Sequence, residues 1–267
     1  MNAICATCGT QFSDTAANPV SCPICGDERQ YTGFDGQQWT TLEDLSRDYR
    51  TKIQEEEPGL TSFSVDPKFG IGQRAFLVET TTGNVLWDCI SLLDGPAVEE
   101  IKSRGVPEAI AISHPHYYTC MVEWSRVFGD VPIYLHAADA QWVMRPDKNI
   151  RFWDGEVQEL PGGLRVVRCG GHYQGAAVLH WPGGASGKGV LLTGDTIQVV
   201  PDRRWVSFMY SYPNYVPLNE SAVKRIVGAV EPLAFDRIYG AFPGLTVQND
   251  AKQAVERSAE RYLNAIR

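Results

Sequence analysis

Residues 109–119 read Ala-Ile-Ala-Ile-Ser-His-Pro-His-Tyr-Tyr-Thr. The first five residues are small or apolar with no alternation, the pattern of a strand covered on both faces. His114 and His116 follow directly, with Pro115 fixing φ between them and stiffening the turn. Two similar junctions lie further on. A predicted strand at 164–169 runs into Gly170-Gly171-His172-Tyr173-Gln174-Gly175, and one at 189–193 runs into Thr193-Gly194-Asp195-Thr196. Strand ends on one edge of a sheet meet in space, and that edge is where α/β proteins bind ligands. Neutral imidazoles with one carboxylate suit zinc or iron. The remaining histidines, His136 and His180, read as a loop-orienting residue and a packed strand residue. Cys120 and Cys169, close in sequence to these positions, read as small buried hydrophobes rather than nucleophiles.

The flanking sequence alternates strand and helix patterns. Strands are expected at 60–65, 74–80, 85–89, 133–136, 176–181 and 236–239. Helices are expected at 95–104, with Pro96 early and Gly105 past its end, at about 120–128, at 219–230 and from about 249. Such alternation predicts a layered α/β sandwich over 60–267. Before it, 40–57 reads as a helix, with Thr40 and Glu43 in a capping-box pattern, Leu42, Leu45, Tyr49 and Ile53 as its stripe, and Pro58-Gly59 as its stop. On that reading 36–59 is a linker.

Four of the seven cysteines lie in the first 25 residues, as Cys5-x2-Cys8 and Cys22-x2-Cys25. Two such pairs separated by 13 residues are a zinc pattern. Disulfides are the weaker reading, because an N-terminal Cys pair stands where an export signal would need an apolar run and the cytosol keeps thiols reduced. Iron on four thiolates is the other rival. Residues 1–35 thus form a zinc ribbon. They carry Asp14, Asp27, Glu28 and Asp35 against Arg29 alone, which disfavours nucleic acid and favours a structural cap on the main domain or on a protein.

The chain as a whole has 267 residues, a net charge of −8 and a pI near 5.2. An acidic balance argues against phosphate backbones and anionic membranes as partners, and no apolar run reaches the roughly 20 residues of a span. A cytoplasmic protein is expected.

The order strand-His-x-His, Gly-Gly-His-x-x-Gly, Thr-Gly-Asp-Thr over residues 60–267 resembles the metallo-β-lactamase-fold superfamily. Asp88, in Val85-Leu86-Trp87-Asp88-Cys89, matches that family's first, supporting Asp motif. The resemblance implies a four-layer αββα sandwich with metal at one edge of the paired sheets. The departures are specific. The family's HxHxDH reads His114-Pro115-His116-Tyr117-Tyr118-Thr119 here, and its late GHG-like motif reads Tyr239-Gly240-Ala241. In family terms the first metal keeps His114, His116 and His172. The second loses its ligands at Tyr118, Thr119 and Ala241 and retains only Asp195.

A mononuclear site follows, holding one zinc or one iron, with Asp195 as fourth ligand or as the residue that holds water. The expected activity is hydrolysis of a small-molecule substrate by a water whose pKa a single metal lowers. Tyr118, at the position of the lost carboxylate, is a candidate proton donor or oxyanion stabiliser, or simply a filler of the vacated site. Trp205, Tyr210, Tyr212 and Tyr215, in the aromatic stretch 203–217, are candidate pocket walls, or alternatively packing or a homodimer contact. The competing functions are an iron oxygenase on the same fold, as in persulfide dioxygenases, and a degenerate protein-binding member without catalysis.

Overall fold

The computed structural model describes residues 2–267. Two sheets carry the architecture. The first has seven strands in sequential order: Arg50–Glu57, Leu60–Asp66, Arg74–Val78, Asn84–Trp87, Pro107–Ala111, Ile133–His136 and Ile150–Trp153. Its first four strands are antiparallel and its last four parallel. Parallel neighbours need crossovers; the helices Gly95–Arg104 and Met121–Val127 supply two of them. The second sheet runs in the order Val157–Glu159, Arg165–Arg168, Ala177–Trp181, Val190–Leu192, Arg237–Tyr239, Thr246–Val247.

Three apolar clusters separate the layers. Leu60, Phe76, Val78, Val85 and Trp87 of the first sheet face Val166, Leu179, Val190, Leu192 and Tyr239 of the second. The outer face of the first sheet packs Phe63, Leu77 and Ile110 on Ile101 and Trp124 of its helices. That of the second packs Val178, Leu191 and Ile238 on Val223, Ile226 and Val255 from Glu220–Val230 and Ala251–Ala265. The result is an αββα sandwich, as the motif order implied, and strands buried on both faces explain the near-continuous apolar runs.

The expected helix over 40–57 is not formed. A short helix spans Leu42–Asp48, its N-cap is Thr41, whose side chain accepts from Asp44 N, and Arg50–Glu57 is an edge strand paired with Leu60–Asp66. Thr51-Lys52-Ile53 alternates β-branched and polar residues, a period-two signal that the coincidental spacing of Tyr49 and Ile53 concealed. Thr40 instead pairs with Ile4 across a two-stranded ladder, Ile4–Cys5 on Trp39–Thr40. The N-terminal module is therefore closed by residues beyond 35. It lies against the sandwich: Gln11 N donates to Thr119 O, Ser13 N to Met144 O, and a Cβ on Gly9, whose φ is +83°, would stand 1.9 Å from Ser91 Oγ. Among the described residues no helix is long and apolar enough to cross a membrane.

Candidate metal centre

His114, His116, His172 and Asp195 meet at the edge where the parallel strands end. All four are buried, and one ligand atom from each lies within 4.8 Å of the others. The sheets are joined here by Ala177 N donating to Ser113 O. The loop bearing Asp195 comes close enough to its neighbour that a Cβ on Gly194, whose φ is +51°, would lie 2.7 Å from Ser113 Oγ and displace it, which favours glycine there.

Each imidazole is oriented by its outer nitrogen. His114 Nδ1 is 3.0 Å from Ser113 Oγ, and Ser113 N donates to Asp88 Oδ1 at 2.7 Å. His172 Nδ1 donates to Tyr210 O at 2.9 Å. His116 Nε2 is 3.2 Å from the Tyr173 hydroxyl. These contacts leave His114 Nε2, His116 Nδ1 and His172 Nε2 turned inward, where His114 Nε2 stands 3.6 Å from Asp195 Oδ2. Burial, reinforced by the adjacent imidazoles, pushes His116 well below its ordinary pKa; burial and then His114 take His172 down to about 4. Both rings are thus held neutral, the form that ligates. His114 Nε2 and Asp195 Oδ1 are buried with no hydrogen-bond partner in the protein. Buried polar atoms are seldom orphaned, and a cation between them satisfies both. The donor set fits one metal ion. Asp88 is the expected supporting carboxyl; burial pushes it well above the usual range.

A cavity of about 240 Å³ opens on His116, His172 and Asp195. Tyr212 lines it, and its hydroxyl donates to Asp195 O at 2.9 Å. The other aromatic candidates stand elsewhere. Tyr210 extends toward the N-terminal module and donates to Glu28. Trp205 lies under Arg257 and Arg261 of the last helix, with the Arg261 guanidinium 3.8 Å from its ring. Tyr215 is 85% exposed. Three of the four are therefore not pocket walls, and only Tyr212 lines the cavity. Tyr118 does not stand beside the cavity. It packs with Ala241 in the apolar cluster of the first sheet and is absent from the cavity lining, and burial pushes its phenol well above the ordinary range. Cys120 and Cys169 are buried, with thiols raised by burial, that of Cys169 to about 12. His136 binds the loop through Ala138 N and Gly155 O, and His180 binds Ala234 O.

Sequence reasoning missed Arg29 and Tyr173. Tyr173 follows a ligand and was legible by adjacency; Arg29 lies far off in sequence, on the N-terminal module. Its Nη1 donates to His172 O at 3.3 Å and its guanidinium lies 4.0 Å from the Tyr173 ring centre. The module also supplies Thr7, Gln30 and Tyr31 to the cavity wall.

The four cysteines of that module form the second metal-capable group among the described residues. None is in a disulfide. Cys5 and Cys25 Sγ are 3.6 Å apart, Cys8 and Cys22 Sγ 3.8 Å. A tetrahedral ion with metal–sulfur bonds of about 2.3 Å sets its sulfurs about 3.8 Å apart. Gln37 ties the knuckles together, donating to Cys5 Sγ and accepting from Cys22 N.

No protein-family model matches the chain. The uncharacterized protein YmaE of Bacillus subtilis (strain 168) is 49% identical over 265 residues, covering 98% of this chain and 96% of YmaE. Among solved structures, VMB-1 superposes with a TM-score of 0.61 at 15% identity over 82% of this chain and 99% of its own. The mono-zinc form of the metallo-β-lactamase FIM-1 from Pseudomonas aeruginosa gives 0.58 at 16% over 79% and 95%. A metallo-β-lactamase from Pontibacter korlensis gives 0.57 at 15% over 80% and 100%. At such identities the likeness is one of fold.

Proposed function

This chain belongs to the family of YmaE and has the metallo-β-lactamase fold, and on that footing we propose that it is a metal-dependent hydrolase of a small-molecule substrate. His114, His116, His172 and Asp195 would hold one ion for the chemistry, and Cys5, Cys8, Cys22 and Cys25 would hold a structural zinc. The observation that carries this reading is the convergence of three imidazoles and one carboxylate, with His114 Nε2 and Asp195 Oδ1 otherwise unpartnered, beside a cavity of small-molecule size lined by His116, His172 and Asp195.

When bound, the ion supplies Lewis acidity and brings the pKa of water toward about 7. The protein supplies the rest. Ser113, the Tyr210 carbonyl and Tyr173 hold the three imidazoles in orientation, a support typically worth 10- to 100-fold in metal affinity. Asp195 directs Oδ2 to the cluster, 3.6 Å from His114 Nε2, and its buried Oδ1, which no protein donor meets, offers the ion a further oxygen. Tyr212, Phe242 and Ile71 give the substrate an apolar wall, and Gln30 and Lys68 a polar one. The same donor set takes iron(II), in which case oxygen chemistry replaces hydrolysis.

Elemental analysis of protein purified without added metal, beside a His114→Ala/His172→Ala variant, tests the reading. Two ions per chain falling to one in the variant is the expected result, and turnover of a panel of lactones, thioesters and lactams should fall with it. Zinc at the second site supports the hydrolase, and iron with oxygen uptake the oxygenase. One ion per chain in both proteins would replace the enzyme with a binding protein.

A further inference from the structure

We infer that Arg29 is a positioning residue for the histidine cluster, so that the tetrathiolate module is a working wall of the metal centre and not a detached cap. The inference rests on the proposed metal reading of His114, His116, His172 and Asp195.

The path is short and made of named contacts. Cys25 lies in the helical turn Pro23–Gly26, and Asp27, Glu28 and Arg29 follow at once. Asp27 accepts from Arg29 through both oxygens, at 2.5 Å to Nε and 2.8 Å to Nη2, which fixes the plane of the guanidinium. Every other contact of that guanidinium is to the sandwich. It donates to His172 O, lies 4.0 Å from the centre of the Tyr173 ring, and is flanked by Trp142 and Tyr210 at 5.2 Å each. Tyr173 in turn meets His116 Nε2, and the Tyr210 carbonyl accepts from His172 Nδ1. One side chain therefore braces two of the three imidazoles through Tyr173 and the Tyr210 strand.

The backbone around Arg29 is tied down with equal care. Ser211 Oγ donates to Arg29 O, Asn214 Nδ2 to Glu28 O and Gln30 O, and the Tyr210 hydroxyl to Glu28. The strand Met209–Ser211 is thus held by the module on one side while it orients His172 on the other. An Asp27–Arg29 pair that only shaped its own loop would need none of these. The side chain is 11% exposed, so the cation–aromatic contacts are largely desolvated and worth more than at an open surface.

The test uses the full chain with its cysteine-bound ion retained, verified by elemental analysis, after the pocket ion has been dialysed away. Cobalt(II) is titrated into wild type, Arg29→Ala, Arg29→Lys and Tyr173→Phe, reading affinity and the visible ligand-field spectrum. Wild type should bind one cobalt. Arg29→Ala should bind it about 10- to 100-fold more weakly with a shifted spectrum, Arg29→Lys should recover only part of the loss, and Tyr173→Phe should weaken binding in the same direction. Wild-type affinity and spectrum in Arg29→Ala overturn the inference. If Arg29→Ala fails to fold, Tyr173→Phe decides, and wild-type behaviour there overturns it. Failure of wild type to take up cobalt identifies the metal reading as the error, and the inference falls with it.

Discussion

The two metal-capable clusters of this protein are alike in size and burial and differ in how they are assembled. The cysteine cluster draws its ligands from residues 5–25, and its supports, Gln37 and Thr10, lie in the same module. The histidine cluster draws its ligands from residues 114–195, on loops leaving both sheets, and its supports come from Asp88, Ser113, Tyr173, Tyr210 and Arg29. Four thiolates close one site; three imidazoles and a carboxylate leave the other facing a cavity. On the proposed reading, the closed sulfur site stabilises structure and the open nitrogen site does chemistry. The local site must make its own core. The non-local one inherits a core that the sandwich has already built.

This contrast can be broken most severely at the cysteines. The buried cluster at the centre of the module is the four cysteines with Phe12 and Ile24, flanked by Trp39 and by Trp142 and Met144 of the sandwich, so most of its folding energy should be metal-binding energy, of order 10–16 kcal/mol for structural zinc in isolated fingers. Cys8→Ser should release one ion and open residues 2–41 to limited proteolysis while the sandwich stays resistant. Retained protection of the module would mean that docking on the sandwich suffices.

His114→Ala should be the next largest effect, with a different signature. The pocket ion leaves and activity is lost, but the protein stays folded, because the sandwich packs without the ion. The free energy of unfolding should fall by the ligand linkage term, about 2.7 kcal/mol when free metal is 100-fold above its Kd, read as a lower thermal midpoint. Global unfolding in that variant would make the two sites equivalent.

Ser113→Ala probes the support instead of the ligand. It removes the hydroxyl against His114 Nδ1 and should weaken pocket-metal affinity about 10- to 100-fold, with the cysteine-bound ion unaffected, in a competitive chelator titration. Least of all, Tyr118→Phe should leave metal content and turnover at wild-type values and change stability by about 1 kcal/mol or less, since the ring lies in apolar packing away from the cavity. A rate loss of tenfold or more would return Tyr118 to the reaction.

Much of this was legible along the chain. Strands buried on both faces give unbroken apolar runs, so the junctions at His114, His172 and Asp195 stood out, and their order pointed to the fold. The error at 40–57 arose where an edge strand, paired on one side only, carries weak periodicity, and a single Ile53 served either pattern. The aromatic stretch failed for another reason: composition says that Trp205 and Tyr215 are large and apolar, but their direction depends on where the chain turns.

The identity and order of the metal-capable residues, and their division into two groups, were determined by the sequence alone, because residue type sets donor chemistry and short spacing sets which thiols can share an ion. Only the tertiary structure decided that Tyr118 points into packing, that Tyr173 meets His116, and that Arg29 crosses from the cysteine module to His172. Those contacts join residues far apart in the chain, or depend on side-chain direction. Such geometry is set by the packing of whole layers and leaves no local periodicity or motif to be read.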